Sequence, residues 1–259
     1  MPDFIDADLP GARFENVELG GAQFRRVDLT DAHFDEVDLT GVVMRDVDLC
    51  DVDISAHVSN LTINGVDVGP LIEAELDARH PLRAAMRPTT VAGFRESWDI
   101  VERFWAETVQ QARGLSPEAL HESVGGEWSF IETLRHLVFA TDSWVKRAIH
   151  GNPSPWDALG LPWDGMPDTP GVPRDRMARP SLDTVLALRV ERMSTVRGLI
   201  EGLTDETLEA QTMPVEGPGW PPPRPYVVRK CLLIILNEEW EHHLYARRDL
   251  AILEAAGPS

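Results

Sequence analysis

The stretch Leu232–Leu253, LLIILNEEWEHHLYARRDLAIL, holds the side chains of this sequence best suited to chemistry. Glu238 and His242 are four residues apart, and so are Glu239 and His243. On a helix, either pair brings a carboxylate and an imidazole to one side, where both can reach a single atom. That chemistry is metal binding: one oxygen and one nitrogen on a divalent ion. The seam Leu232, Leu236, Glu239, His243, Ala246, Leu250 and Leu253 alternates spacings of four and three, which defines one face. Glu239 and His243 are the polar members of that face, so they are expected to point into the core. Glu238 and His242 sit about 100° back around the helix, near its flank. A carboxylate in an apolar core is costly unless something compensates its charge. A metal would do so, and two ligands hold a metal poorly.

His136, in ETLRHLVFA, is the candidate third ligand. It lies beside the apolar stripe Phe130, Leu134, Leu137, Val138, Thr141, Trp144 and Val145, on a narrow face of small or polar residues. Such a face suits a cleft. The competing reading is plain: a Glu–His pair within one helix, and an inward His bonded in the core. Around the opening of a site built this way stand Glu132, Thr133, Trp144 and Arg147; no catalytic role is assigned to them.

The elements that must carry these residues read as helices. Apolar periodicity predicts long helices over 91–113, 129–150, 181–202 and 226–255. Ser129 with Glu132 reads as a capping box, and Ser181 as an N-cap. LSPEALHES and LTDETLEA read as short helical segments, the first with Ser116 as N-cap. Two loops rich in Pro and Trp, GNPSPWDALGLPWDGMPDTPGVP and VEGPGWPPPRP, connect the helices. Four long amphipathic helices with such loops imply a four-helix bundle.

Residues 1–54 follow another rule. Phe4, Leu9, Phe14, Leu19, Phe24, Leu29, Phe34, Leu39, Met44, Leu49 and Ile54 are each five apart. A small apolar residue stands two positions before nearly every one. Neither helix nor strand has a period of five. A repeat this short implies a solenoid in which each pentad forms one side of a coil, with Phe14, Leu19, Phe24 and Leu29 stacked inside. After Ile54 the period fails. Asn64-Gly65 reads as a tight hairpin turn, LIEAELDARHP as a short helix, and residues 55–87 as a cap.

Composition narrows the function. The 259 residues carry a net charge of −19, which argues against charge-driven binding of a nucleic-acid backbone. Residues 1–54 alone hold 14 acidic residues against 4 arginines. Two cysteines, Cys50 and Cys231, far apart, give no disulfide framework and fit a reducing compartment. The acidic start MPDFIDADLP lacks an apolar signal segment, and no run is long enough to span a bilayer, so a cytoplasmic protein without membrane partners is expected. No Ser-His-Asp order, phosphate loop or dinucleotide fingerprint is present.

Two resemblances extend this reading. AQFRR, VDLTD, AHFDE and VDLTG resemble the pentapeptide-repeat family. That resemblance implies a right-handed, four-sided β-helix, here of fewer than three coils, and says little about function. Some members are DNA-shaped decoys, but so few coils imitate a duplex poorly. GEWSFIETLRHL followed by LLIILNEEWEHHLYARRDL resembles the DinB/YfiT-like superfamily over about residues 90–256. The resemblance implies a four-helix bundle holding a divalent metal through one His on the second helix and an HxxxH pair on the last. His136 matches the first ligand. Position 243 matches the last, and the middle ligand falls at Glu239; a register shift of one gives Glu238 and His242 instead.

The reading is therefore a two-domain chain: residues 1–70 a pentapeptide-repeat solenoid with its cap, 71–89 a short helix and linker, and 90–259 a DinB-like four-helix bundle. The expected metal ligands are His136, Glu239 and His243, with Glu238 and His242 as the alternative pair. Zinc is the leading ion, nickel and manganese the others. Family resemblance implies a metal-dependent S-transferase or isomerase acting on a low-molecular-weight thiol of the mycothiol or bacillithiol type and an electrophile. The alternative is a non-enzymatic interaction module using the acidic repeat. A homodimer is compatible with either.

Overall fold

The structure is a computed structural model, and it describes residues 4–5, 7–34, 37–54, 56 and 58–256. Two compact units emerge, residues 1–52 and 53–259.

In the first unit the pentad period is written into the backbone. Gly11, Asn16, Gly21, Arg26, Asp31, Gly41, Asp46 and Asp51 all have positive φ, so a corner recurs every five residues. Glycine tolerates that conformation without strain, and Asn and Asp better than most other residues. Every ten residues a turn closes by a backbone hydrogen bond, Ala22 N to Leu19 O at 2.9 Å and Ala32 N to Leu29 O at 3.0 Å among them. The expected interior does not form. Phe14, Leu19, Phe24 and Leu29 are 59%, 46%, 64% and 50% exposed, against the expectation of burial. Among the described residues of this unit no strand forms, and the backbone bonds stay within single turns. With no backbone hydrogen bond between coils among the described residues, each large side chain lacks the cover a solenoid gives it.

The second unit begins with a hairpin, β1 (Thr62–Ile63) and β2 (Val66–Asp67), turned by Asn64 and Gly65, both at positive φ. That is the tight turn the Asn-Gly pair implies. Helix α1 (Gly69–Arg79) follows, then α2 (Val91–Ala112), α3 (Phe130–Thr141), α4 (Leu182–Glu201), the short α5 (Asp205–Glu209) and α6 (Val228–Ala256). Ser129 accepts from Glu132 N while Glu132 returns a bond to Ser129 N, the capping box read from the sequence. Thr90 and Ser181 cap α2 and α4 by accepting from Gly93 N and Thr184 N. The long helices α2, α3, α4 and α6 pack in a ring, α2 on α6, α6 on α3, α3 on α4 and α4 on α2. At its centre Phe94, Trp98 and Val101 of α2 meet Leu134 and Leu137 of α3, Val196 and Ile200 of α4, and Leu232, Ile235 and Leu250 of α6, all but free of solvent. Each such side chain contributes about 1.5–3 kcal/mol by leaving water.

Helix α3 does not run straight to residue 150. Over Asp142–Arg147 it widens into a π-helical turn, in which Ala148 N bonds Ser143 O, five residues back. Asp142 is drawn toward α4 there by a forked contact from Arg192, at 2.9 and 3.0 Å. Among the described residues no helix is long and apolar enough to cross a membrane.

Candidate metal centre

Helices α3 and α6 bring three of the candidate side chains together. His136 Nε2 lies 3.2 Å from Glu238 Oε2, and His242 Nδ1 lies 3.4 Å from the same oxygen. The two imidazoles stack with centroids 4.8 Å apart at 26°. Among the described residues, His136, Glu238 and His242 are the one set of three ligand types whose ligating atoms all lie within 4.8 Å of one another. Trp128, just before α3, leans on both rings, 4.6 Å from His136 and 6.0 Å from His242.

Glu239 and His243 do not join this set. Both lie in the core, as the seam of α6 predicts, and both are buried. Facing the core, however, is not the same as facing α3. One residue of helix turns a side chain by about 100°. Glu239 is thereby aimed at α4, where it accepts from Arg189 Nη2 at 2.7 Å. The Arg189 guanidinium lies over Trp105. His243 stacks on Phe104 of α2, with centroids 3.9 Å apart at 26°. The buried carboxylate of Glu239 is therefore compensated by an arginine, and the expected convergence of His136, Glu239 and His243 gives way to His136, Glu238 and His242. The missed signal lies in α4, in LALRVERM. Val185, Arg189, Arg192 and Val196 form that helix's buried face. Two arginines on a core stripe call for buried acceptors, and the carboxylates of Glu239 and Asp142 supply them.

The electrostatics suit a ligand set. Burial works against ionisation of Glu238, yet the contact with His136 and the nearby imidazole charges outweigh it and hold the carboxyl below its usual range. Burial, aided by repulsion from His136, pushes His242 down to about 4, so its ring is neutral at pH 7. Burial pushes Glu239 upward, opposed by Arg189.

Hydrogen bonds also constrain the protons. His136 Nδ1 lies 2.9 Å from the carbonyl oxygen of Leu161, and His242 Nδ1 lies 2.9 Å from that of Glu238. A carbonyl only accepts, so each Nδ1 carries its ring's proton. In a neutral His136 the Nε2 lone pair then faces a carboxylate oxygen at 3.2 Å. Two acceptors in that position are joined either by a proton on Nε2 or by a metal ion between them. Ligands about 2.1 Å from one tetrahedral ion stand about 3.4 Å apart, close to the 3.2 Å between His136 Nε2 and Glu238 Oε2, and His242 would reach the ion through Nε2. The residues fit a divalent metal.

The groups expected around the opening have other work. Glu132 is committed to the helix cap. Thr133 is buried, and Trp144 packs edge-on against Tyr226. Arg147 is buried and donates to the carbonyls of Pro153, Val215 and Gly217.

Residues 100–246, more than half of the chain, match the DinB superfamily. The chain belongs to the DinB superfamily. A family model of pentapeptide repeats, eight copies long, matches over residues 3–34 and 18–55, so the DinB domain is fused to the repeat family expected from the sequence. No curated protein and no solved structure matches the chain. DinB proteins are a metal-binding family, and the trio on α3 and α6 is the candidate site for an ion in this member.

Proposed function

We propose that this DinB protein binds one divalent metal through His136, Glu238 and His242, and serves as a metal-dependent transferase for a low-molecular-weight thiol. The observation that carries the reading is the approach of His136 Nε2 to Glu238 Oε2 with Nδ1 already committed to Leu161 O. Two imidazoles and one carboxylate suit zinc, nickel or manganese. A bound ion would act as a Lewis acid that favours the thiolate of an incoming thiol at neutral pH. The chain's own residues bind and orient. Glu238 supplies the negative charge that two neutral rings lack. Leu161 O fixes the His136 ring, and Trp128 shields both rings from water.

The thiol has to come from outside the bundle. Cys231 is buried, and burial pushes its thiol up to about 11, so it offers no thiolate at neutral pH. The family resemblance suggests mycothiol or bacillithiol. The test pairs a zinc, nickel and manganese titration with conjugation of either thiol to a bimane electrophile. The reading expects about one metal per chain, lost in His136→Ala, Glu238→Ala and His242→Ala. Conjugation should follow metal content. Stoichiometry near zero for all three ions would end the metal reading; binding without conjugation would end the transferase reading alone.

A second reading has one observation in its favour. The repeat exposes its large apolar residues among many acids, a surface suited to a protein partner. Under it, the repeat is the working surface and the bundle its carrier.

A further inference from the structure

His136 is held by a loop, and the loop is held by the residue next to it. The segment after α3 folds back along that helix and is fastened at every step. Arg147 donates to Pro153 O at 2.7 Å. Ser143 Oγ accepts from Trp156 Nε1 at 3.2 Å, and Asp142 Oδ2 from Asp157 N at 3.3 Å. Arg135 Nε then donates to Leu159 O at 2.8 Å, and Leu161 N donates to Arg135 O at 3.2 Å. The next contact is His136 Nδ1 with Leu161 O.

Arg135 is completely buried, and like Arg147 it makes no hydrogen bond to a carboxylate. Its donors go to three backbone carbonyls: Leu159, Ala178 at 3.0 Å, and Asp175. It thus ties the first part of the loop to the last, across about twenty residues. Burying a charge on neutral carbonyls alone is expensive.

We propose that Arg135 is a positioning residue for the metal centre: by fixing the loop at Leu159 and Ala178 it sets the Leu161 carbonyl that holds His136 in its Nδ1–H form, with Nε2 turned to the ion. This rests on the metal reading above. Partners of this kind decide ring orientation and ligand basicity, and their loss weakens metal binding about 10–100-fold. Linkage makes the effect reciprocal: whatever the ordered loop adds to metal affinity, the metal adds to loop ordering.

The experiment uses the full chain, wild type, Arg135→Met and Arg135→Lys. Zinc affinity is measured by competition with a chromophoric chelator. The cobalt(II) absorption spectrum reports coordination, and trypsin cleavage after Arg174 and Arg176 reports the loop. The expected result is zinc binding about 10–100-fold weaker in Arg135→Met, with partial rescue in Arg135→Lys. The cobalt spectrum of Arg135→Met should change, and zinc should slow cleavage of wild type more than of this variant. Should Arg135→Met fail to fold, Arg135→Lys and the zinc dependence of wild-type cleavage carry the test. Equal zinc affinity and identical cobalt spectra in wild type and the folded variants would overturn the proposal and leave the metal site standing. Wild-type cleavage indifferent to bound zinc would also overturn it. No zinc or cobalt binding by wild type would overturn the metal reading and this inference with it.

Discussion

Replacing Glu239 by glutamine separates the two carboxylates that stand side by side on α6. Glu239 is 1% exposed and accepts from Arg189, itself buried, at 2.7 Å. The glutamine keeps the volume and removes the charge, which leaves the Arg189 guanidinium without a counter-ion inside the bundle. Removing one partner of a buried pair costs about 3–5 kcal/mol. For a domain of this size each kcal/mol moves the melting temperature by about 2–4 °C, so Glu239→Gln should melt about 6–20 °C lower. Glu238→Gln is the control. Its carboxylate faces two imidazoles rather than a permanent cation, so the chelated protein should melt within a few degrees of wild type. Zinc affinity should divide the other way: nearly unchanged in Glu239→Gln and lost in Glu238→Gln. The assay is calorimetry on chelated protein, with zinc titrations of both variants below their melting temperatures. A Glu239→Gln variant that melts like wild type and fails to bind zinc would refute the assignment and restore Glu239 as the ligand.

Three further outcomes follow from the same geometry. The double variant Arg189→Met/Glu239→Leu should be near wild type in stability or above it, whereas Glu239→Leu alone should be strongly destabilised; thermal melts of single and double variants give the coupling. His243, pushed down to about 4 by burial, is neutral in the fold and takes up a proton on unfolding. Its stabilising contribution is complete above pH 6.5 and is lost as pH falls through about 4, so His243→Phe should flatten the acid limb of the apo protein's stability curve by up to about 3 kcal/mol and spare zinc binding at pH 7. Gly219 has φ +144°, and a Cβ there would lie 2.2 Å from Trp156 and 2.8 Å from Arg147, so Gly219→Ala should destabilise the bundle by more than about 1 kcal/mol in urea unfolding.

The fold of the bundle was legible because its signals are local. Ser129 with Glu132, Ser181, and the apolar stripes of α2 and α6 mark where helices begin and which way they face, and each depends on neighbours three or four residues away. The choice between Glu238 and Glu239 is not local. Both sit four residues before a histidine, and the seam of α6 says only that Glu239 points inward. Which partner meets it there is decided by Arg189, fifty residues earlier, on a helix whose own seam carries two arginines. Read together, the two seams would have assigned Glu239 to Arg189 and released Glu238 for His136. The repeat fails for the opposite reason. Its period of five sets every corner of the backbone, as the positive φ at Gly11, Asn16, Gly21 and Arg26 shows, but a corner fixes direction and not stacking. Burial of Phe24 needs a second coil hydrogen-bonded above it, a contact about twenty residues away that a five-residue pattern permits without compelling. Both outcomes have one cause: spacing decides where a side chain points, and the charge or backbone that meets it decides what it does.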